Sequence, residues 1–313
     1  MSSIASAAAR ASAAHPRIVA RLAIEFLIDQ LQIARGDGRP VDAMLMLAIT
    51  QTNIAHLLRD ESQFTFDTPV ADEHRRPVSV NALAASLRLP FETARRRINH
   101  LIAIGVCCAT PAGVYVPQAA LEAPRDVLSA RAVYERLRRF YFDLRALGAL
   151  PDLPDASRRI EGQASVRAAV RTFGGYMLRV LDALNRREGD VVEALTLMAL
   201  ICINTEGVTG AELYAYPTGV MPDEKRKPAR IAEIAARIGM PPETVRRRIS
   251  GLVARGSCVR TRRGLIAPAT SLMSPEMGAI VLEHASELQR LFARLAQLGV
   301  LELWNRAAPA SEP

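Results

Sequence analysis

The chain has 313 residues, a formal net charge of +8, and a composition that is 50% hydrophobic but only 5% aromatic. That length predicts two domains, each able to bury a core without metals or disulfides, and the abundance of Ala and Leu predicts a mainly α protein. The longest apolar runs, 43–49 and 194–203, fall short of the ~20 residues of a membrane span, and MSSIASAAARASAAHP lacks the apolar segment of a secretion signal, so a cytoplasmic protein without membrane contact is expected.

In chain order, residues 1–16 read as a disordered tail. An amphipathic helix is expected over about 18–34 and a very apolar one over 41–58, then an irregular segment, 59–74, whose Phe64 and Phe66 suit a pocket wall or surface packing. Residues 80–87 form a short helix with Leu83, Ala84 and Leu87 inward. A three-residue turn, 88–90, leads to a second helix that starts on Pro, where the missing N–H has no intrahelical partner to lose. Two short helices joined so tightly make a helix-turn-helix. The run 105–117, with Gly113 between short β-prone stretches, reads as a hairpin, or wing. A closing helix over 127–147 puts Val127, Val133, Leu137, Tyr141 and Leu144 mostly on one face, a stripe that packs a core. Residues 150–165, rich in Pro, Asp and Ser, form a linker. The series then begins again: helices over 166–186 and 191–203, an irregular segment over 206–225 with Tyr214 and Tyr216, and a closing helix over 278–298.

This recurrence is an internal repeat. Residues 75–121 align without a gap on 226–272, an offset of 151, with 19 of 47 positions identical, among them Pro77/Pro228, Thr93/Thr244, Gly105/Gly256 and Pro117/Pro268. The offset extends outward to Asn53/Asn204. The expected organisation is a tail (1–16), repeat 1 (17–149), a linker (150–165), repeat 2 (166–305) and a tail (306–313), the repeats being related by a pseudo-twofold.

On the second helix of each motif, Ala94, Ile98, Leu101 and Ile102, or Val245, Ile249, Leu252 and Val253, share the core side at helical spacing. The opposite side carries Glu92, Thr93, Arg96, Asn99 and His100, flanked by Arg95 and Arg97; its counterpart carries Glu243, Thr244, Arg247, Ser250 and Gly251, flanked by Arg246 and Arg248. Arg suits guanine edges in the major groove, and Arg and Thr suit phosphates. Thr93, Arg96, Asn99, His100, Thr244, Arg247 and Ser250 are the expected base readers. Arg95, Arg97, Arg246 and Arg248 are expected on phosphates, joined by Arg260, Arg262 and Arg263 of the second hairpin, which suit a narrow minor groove. The first hairpin has Ala109, Pro111 and Ala112 at those positions.

Helix, turn, TxRRRIxxLxxxG and a Gly-containing hairpin resemble the winged-helix domain of bacterial transcription regulators of the broad MarR, IclR and GntR kind. The resemblance covers about 45 residues per copy and implies double-stranded DNA as partner. The helices before and after the motif are most similar to the MarR layout, where they build a dimer interface; duplication would supply both halves in one chain and leaves homodimerisation open.

Lys and Arg less Asp and Glu come to +5 over 75–112 and +9 over 226–263, so the rest of the chain sums to −6. Positive charge gathered on a reading surface is what a nucleic-acid footprint requires and implies a nucleoid-associated protein. Nothing points to an enzyme: there is no phosphate loop or HExxH, and His15, His56, His74, His100 and His284 are scattered. Cys107, Cys108, Cys202 and Cys258 lack zinc-site spacing and read as reduced thiols, so no metal or cofactor is expected. A transcription regulator is the reading that follows; the rivals are an architectural or replication-associated protein and a protein-interaction module. No effector is identifiable.

Overall fold

The computed structural model describes residues 2–57, 68–150, 152–157, 159–213 and 215–307. The chain is mainly helical, with two small antiparallel sheets. Helix α1 (Ser2–Arg35) leads to the apolar α2 (Pro40–Ile54), and a single 3₁₀ turn (Asp72–His74) precedes α3 (Val80–Ser86) and α4 (Phe91–Ala103). The hairpin β1 (Cys108–Thr110) and β2 (Gly113–Tyr115) follows, then α5 (Gln118–Glu122) and the long α6 (Pro124–Ala146). Next come α7 (Gly162–Glu188), α8 (Val191–Asn204), α9 (Gly210–Leu213) and another 3₁₀ turn (Asp223–Lys225). The chain continues through α10 (Ile231–Ile238), α11 (Pro242–Ala254), β3 (Val259–Thr261), β4 (Gly264–Ile266), α12 (Ala269–Leu272), α13 (Pro275–Gln297) and α14 (Val300–Arg306). Among the described residues no helix is long and apolar enough to cross a membrane.

Several elements depart from expectation. Helix α1 starts at Ser2, inside the tail drawn at 1–16; its run of Ala, the best helix former, explains why. The segments over 59–74 and 206–225 contain α9 and the two 3₁₀ turns, while Phe64, Phe66 and Tyr214 lie outside the described residues, as do 308–313. Tyr216 packs beside Ile18, Leu213, Leu22 and Val208 and lies under the Lys225 ammonium, a surface-packing role. Helix α14 follows Gly299 and was not expected; it buries Trp304, the only Trp in the chain.

The helices assemble into two compact units, each drawn from separate stretches of chain. One comprises Ile33–Phe142, Leu150–Arg179 and Glu287–Pro313, and so contains α2–α5; the other comprises Met1–Gln32, Asp143–Ala149 and Val180–Ser286, and contains α8–α12. In the α2–α5 unit, Met44, Leu45 and Ile49 of α2, Leu83 of α3, and Ala94, Ile98 and Leu101 of α4 are buried. The inner faces of α6 and of the first half of α7 are also buried there, through Val133, Leu137 and Tyr141 and through Phe173 and Tyr176. Of the stripe expected on the closing helix, Val127 alone is only half-buried. Gly174 lets α7 approach α2: a Cβ there would stand 2.4 Å from the Gln51 carboxamide, which donates to the Arg171 carbonyl. Tyr134 and Tyr141 meet Trp304 at 5.6 and 5.5 Å between ring centres, in the edge and tilted geometries aromatic pairs favour.

In the α8–α12 unit every residue of α8 is buried. Its start is fixed by Asp190, whose carboxylate accepts from the Val192 and Glu193 N–H groups at 2.9 Å, two donors that otherwise have no helical partner. Helix α10 buries Ile234, Ala235 and Ile238, and α11 buries Val245, Ile249 and Leu252.

A buried asparagine holds each hairpin to the end of its apolar helix. The Asn53 carboxamide donates to the Arg76 carbonyl at 2.8 Å and to the Val114 carbonyl at 3.3 Å, and accepts from the Val116 N–H at 3.1 Å. Asn204 repeats this with Lys227 at 2.7 Å, Leu265 at 3.1 Å and Ala267 at 2.8 Å. Each hairpin also gains a third backbone partner: Val78 bridges Val114, and Ala229 bridges Leu265. The approach is close enough that a Cβ on Gly113 would lie 2.4 Å from the Val78 carbonyl oxygen, and one on Gly264 2.7 Å from that of Ala229. The hairpins thus have fixed orientation on the helices behind them.

Two predictions follow from this packing. Asn53→Ala or Asn204→Ala, which leaves the Arg76 or Lys227 carbonyl and the Val116 or Ala267 N–H without the carboxamide partner, should lower the unfolding free energy by about 2 kcal/mol in denaturant titrations. The turn between α3 and α4 passes through Arg88 at φ +50°, whereas the matching turn uses Gly239 at φ +69°. Gly tolerates this left-handed region and other residues do so at a cost, so Arg88→Gly should stabilise the fold by about 1 kcal/mol and Gly239→Ala should destabilise it by a similar amount, both readable in thermal unfolding.

Candidate nucleic-acid interface

The helices α4 and α11 each start on a proline N-cap, Pro90 and Pro241, and bury one side, which fixes where the other residues point. On α4, Arg95, Arg96, Asn99 and His100 are exposed and Thr93 is half-buried; on α11, Arg246, Arg247 and Ser250 are exposed and Thr244 is half-buried. A shallow concavity on α4 is lined by Glu92, Thr93, Arg95, Arg96 and Asn99. Thus five candidate residues of one helix share a single accessible face.

The three arginines of each triplet are used differently. The first is held on the surface by the acidic residue one turn earlier: Arg95 donates to Glu92 through Nε at 3.1 Å and Nη2 at 2.7 Å, and Arg246 lies 3.7 Å from Glu243. This partner raises the Arg95 pKa further, through its hydrogen bond and its charge. The middle residue, Arg96 or Arg247, is exposed and has no carboxylate partner among the described residues.

The third arginine turns back. Arg97 Nε donates to Asp42 Oδ1 at 2.6 Å, with both side chains nearly buried (12% and 13% exposed). Arg248 pairs with Asp190 Oδ2 at 2.8 Å, using the oxygen that the α8 N-cap leaves open. Arg97 and Arg248, expected on phosphates, lie on the shoulder nearer α2 and α8, where they pair with Asp42 in the first turn of α2 and with Asp190, the N-cap of α8. These pairs dock α4 on α2 and α11 on α8.

Other charges counted on the presumed surface are also structural. The Arg75 and Arg226 guanidinium groups are buried; Nη2 donates to the Val70 carbonyl at 2.7 Å and to that of Met221 at 2.6 Å. Asp72 and Asp223, beside them, accept the N–H of Gln118 and Ala269 at 2.7 Å, tying the segment to the end of the hairpin. Burial lowers both arginine pKa values, opposed by the neighbouring Asp. The signal was the Asp-Glu-x-Arg spacing present in both copies, 72–75 and 223–226, which begins just before the aligned window.

The second unit adds an ion-pair layer behind α11. Arg255 Nη2 bonds Glu193 at 2.7 Å and its Nε lies 3.9 Å from the fully buried Glu188. Gly251 makes room, since a Cβ there would stand 2.3 Å from Glu193 Oε1. Burial raises the Glu193 pKa, with Arg255 opposing the shift. In the first unit, exposed His100 and Ile104 replace Gly251 and Arg255, and no such layer forms among the described residues.

At the hairpin tips, Arg260, Arg262 and Arg263 are exposed, as are Ala109, Pro111 and Ala112 of the other hairpin. The turn of each is closed by a threonine: Thr110 Oγ1 accepts the Ala112 N–H and Thr261 Oγ1 that of Arg263, both at 3.2 Å. Burial pushes the Cys107 thiol up to about 12 and those of Cys202 and Cys258 to about 11, which keeps them unreactive, whereas Cys108 is only half-buried. Among the described residues no group of His, Cys, Asp and Glu could hold a metal ion.

Compared with family models, curated proteins and solved structures, the chain matches none.

The Asp42–Arg97 pair should behave as a structural contact. Asp42→Ala, which leaves a nearly buried guanidinium unpaired, should cost about 2 kcal/mol of stability, and a double-mutant cycle with Arg97→Ala in urea should return a clear coupling energy. The corresponding cycle for exposed Glu92 and Arg95 should return a smaller one.

Proposed function

We propose that this chain binds double-stranded DNA sequence-specifically through two winged helix-turn-helix units that arose by internal duplication, and that it acts as a transcription regulator. The observation that carries the reading is the division of labour within the Arg triplet, the same in both units. The third arginine is drawn onto the apolar helix behind, α2 or α8, and the middle one is left exposed on a helix that buries its other side. An ordinary solvated arginine run has no reason to repeat that division.

In this reading Arg96 and Arg247 pair bidentately with guanine O6 and N7, and Thr93, Asn99, His100, Thr244 and Ser250 meet neighbouring base edges. Arg95 and Arg246, steered by Glu92 and Glu243, hold phosphates. Arg260, Arg262 and Arg263 enter a minor groove beside the second half-site. Arg97 and Arg248 act at one remove, by positioning the reading helices. Since Asn99 and His100 face one half-site where Ser250 and Gly251 face the other, the site is asymmetric, and the unit with the basic hairpin binds the more tightly.

Selection from a random-sequence duplex pool at ~150 mM salt, which weakens non-specific phosphate attraction, should enrich a two-part motif. Arg96→Ala and Arg247→Ala should each relax one part and lower affinity for the selected duplex by about tenfold or more, without lowering the unfolding midpoint. Binding with no enriched sequence would replace the regulator with an architectural role, and absence of binding would leave the two units as protein-interaction modules.

A further inference from the structure

Helix α4 begins on a large apolar side chain that the fold does not bury: Phe91 is 45% exposed. The other large exposed hydrophobics lie elsewhere, Ile104 at the C-cap of α4, Leu128 on α6, Met273 after α12 and Leu282 on α13. Phe91 stands among cations, with exposed Arg88 three residues before it and exposed Arg95 and Arg96 one turn beyond, beside the concavity formed by Glu92, Thr93 and Asn99. An exposed apolar ring one turn before exposed arginines suits a polyanion that presents an apolar group between its charges.

In the major groove of DNA that group is the C5 methyl of thymine, and phenylalanine is among the side chains that contact it. The N-terminal residues of a reading helix are the ones that meet base edges. We infer that Phe91 is a specificity-determining residue that packs against a thymine methyl in the half-site read by α4. This rests on the DNA-binding reading above and adds a base identity to it. Position 242 of the second unit holds an exposed proline, without an aromatic ring, so α11 lacks this preference. The two half-sites then differ in thymine content as well as in the bases facing Asn99, His100 and Ser250.

The test presents the full chain with two random duplex pools at ~150 mM salt, one containing thymine and one containing deoxyuridine in its place, which removes only the methyl. Duplexes selected from the first pool are then measured with deoxyuridine at single positions, against wild type, Phe91→Ala and Phe91→Leu. Wild type should lose about fourfold at one position of the half-site that Arg96→Ala relaxes, the worth of one buried methyl-sized group. Phe91→Ala should bind both duplexes equally, Phe91→Leu should keep part of the preference, and thermal midpoints should not move.

A wild type indifferent to deoxyuridine in that half-site overturns the inference and leaves DNA binding standing. The same holds if Phe91→Ala keeps the full preference, or if it weakens both duplexes alike, which would put the ring on the backbone. A wild type that binds no duplex overturns this inference and the reading beneath it together.

Discussion

A carboxamide buried at the end of an apolar helix, Asn53 in one unit and Asn204 in the other, joins the end of that helix to the extended stretch through Arg76 or Lys227 and to the returning strand of the hairpin. It satisfies the carbonyl before the extended segment, a carbonyl of the returning strand and the N–H just beyond that strand. A buried polar group left unmatched is costly, and three matched at once fix a position in space. The hairpin is thereby held against α2 or α8, the helix that also supports α4 or α11 through Asp42–Arg97 or Asp190–Arg248. Hairpin and Arg-bearing helix thus share one platform in each unit.

That platform explains how so many arginines can sit in one motif without forming an undifferentiated charged surface. Arg75 and Arg226 close backbone carbonyls inside the fold, Arg97 and Arg248 are clamps, and Arg255 balances Glu193. Carboxylates on the platform select which cations turn inward; those they do not reach remain on the face with Thr93 and Asn99 or with Thr244 and Ser250. Net charge over the motif therefore overstates the charge available to a partner.

The two units solve the same problem with different local chemistry. One turn accepts a strained Arg88 where the other has Gly239, one helix begins with an exposed Phe91 where the other has Pro242, and one hairpin tip is neutral where the other carries three arginines. The matched polar contacts of Asn53 and Asn204 persist beneath these changes. The polar contacts of the buried asparagines are shared by both units, while the helix starts, the hairpin tips and the Arg255 ion-pair layer differ.

The sequence by itself determined the local elements. Helical periodicity located α2–α4, α6 and their counterparts, prolines and glycines marked the turns and hairpins, and the ungapped 151-residue offset paired the motifs, because these signals depend on neighbours within a few residues or on direct comparison of letters. It also identified Arg96, Asn99, Arg247 and Ser250 as lying opposite the apolar side of their helices, a consequence of 3.6-residue spacing alone. Tertiary structure decided what depends on distant partners: that Arg97 and Arg248 turn toward Asp42 and Asp190, and that each compact unit draws its helices from separate stretches of chain. Periodicity places a side chain on a face of its own helix. Only the fold brings up a carboxylate 55 or 58 residues away in sequence to claim it.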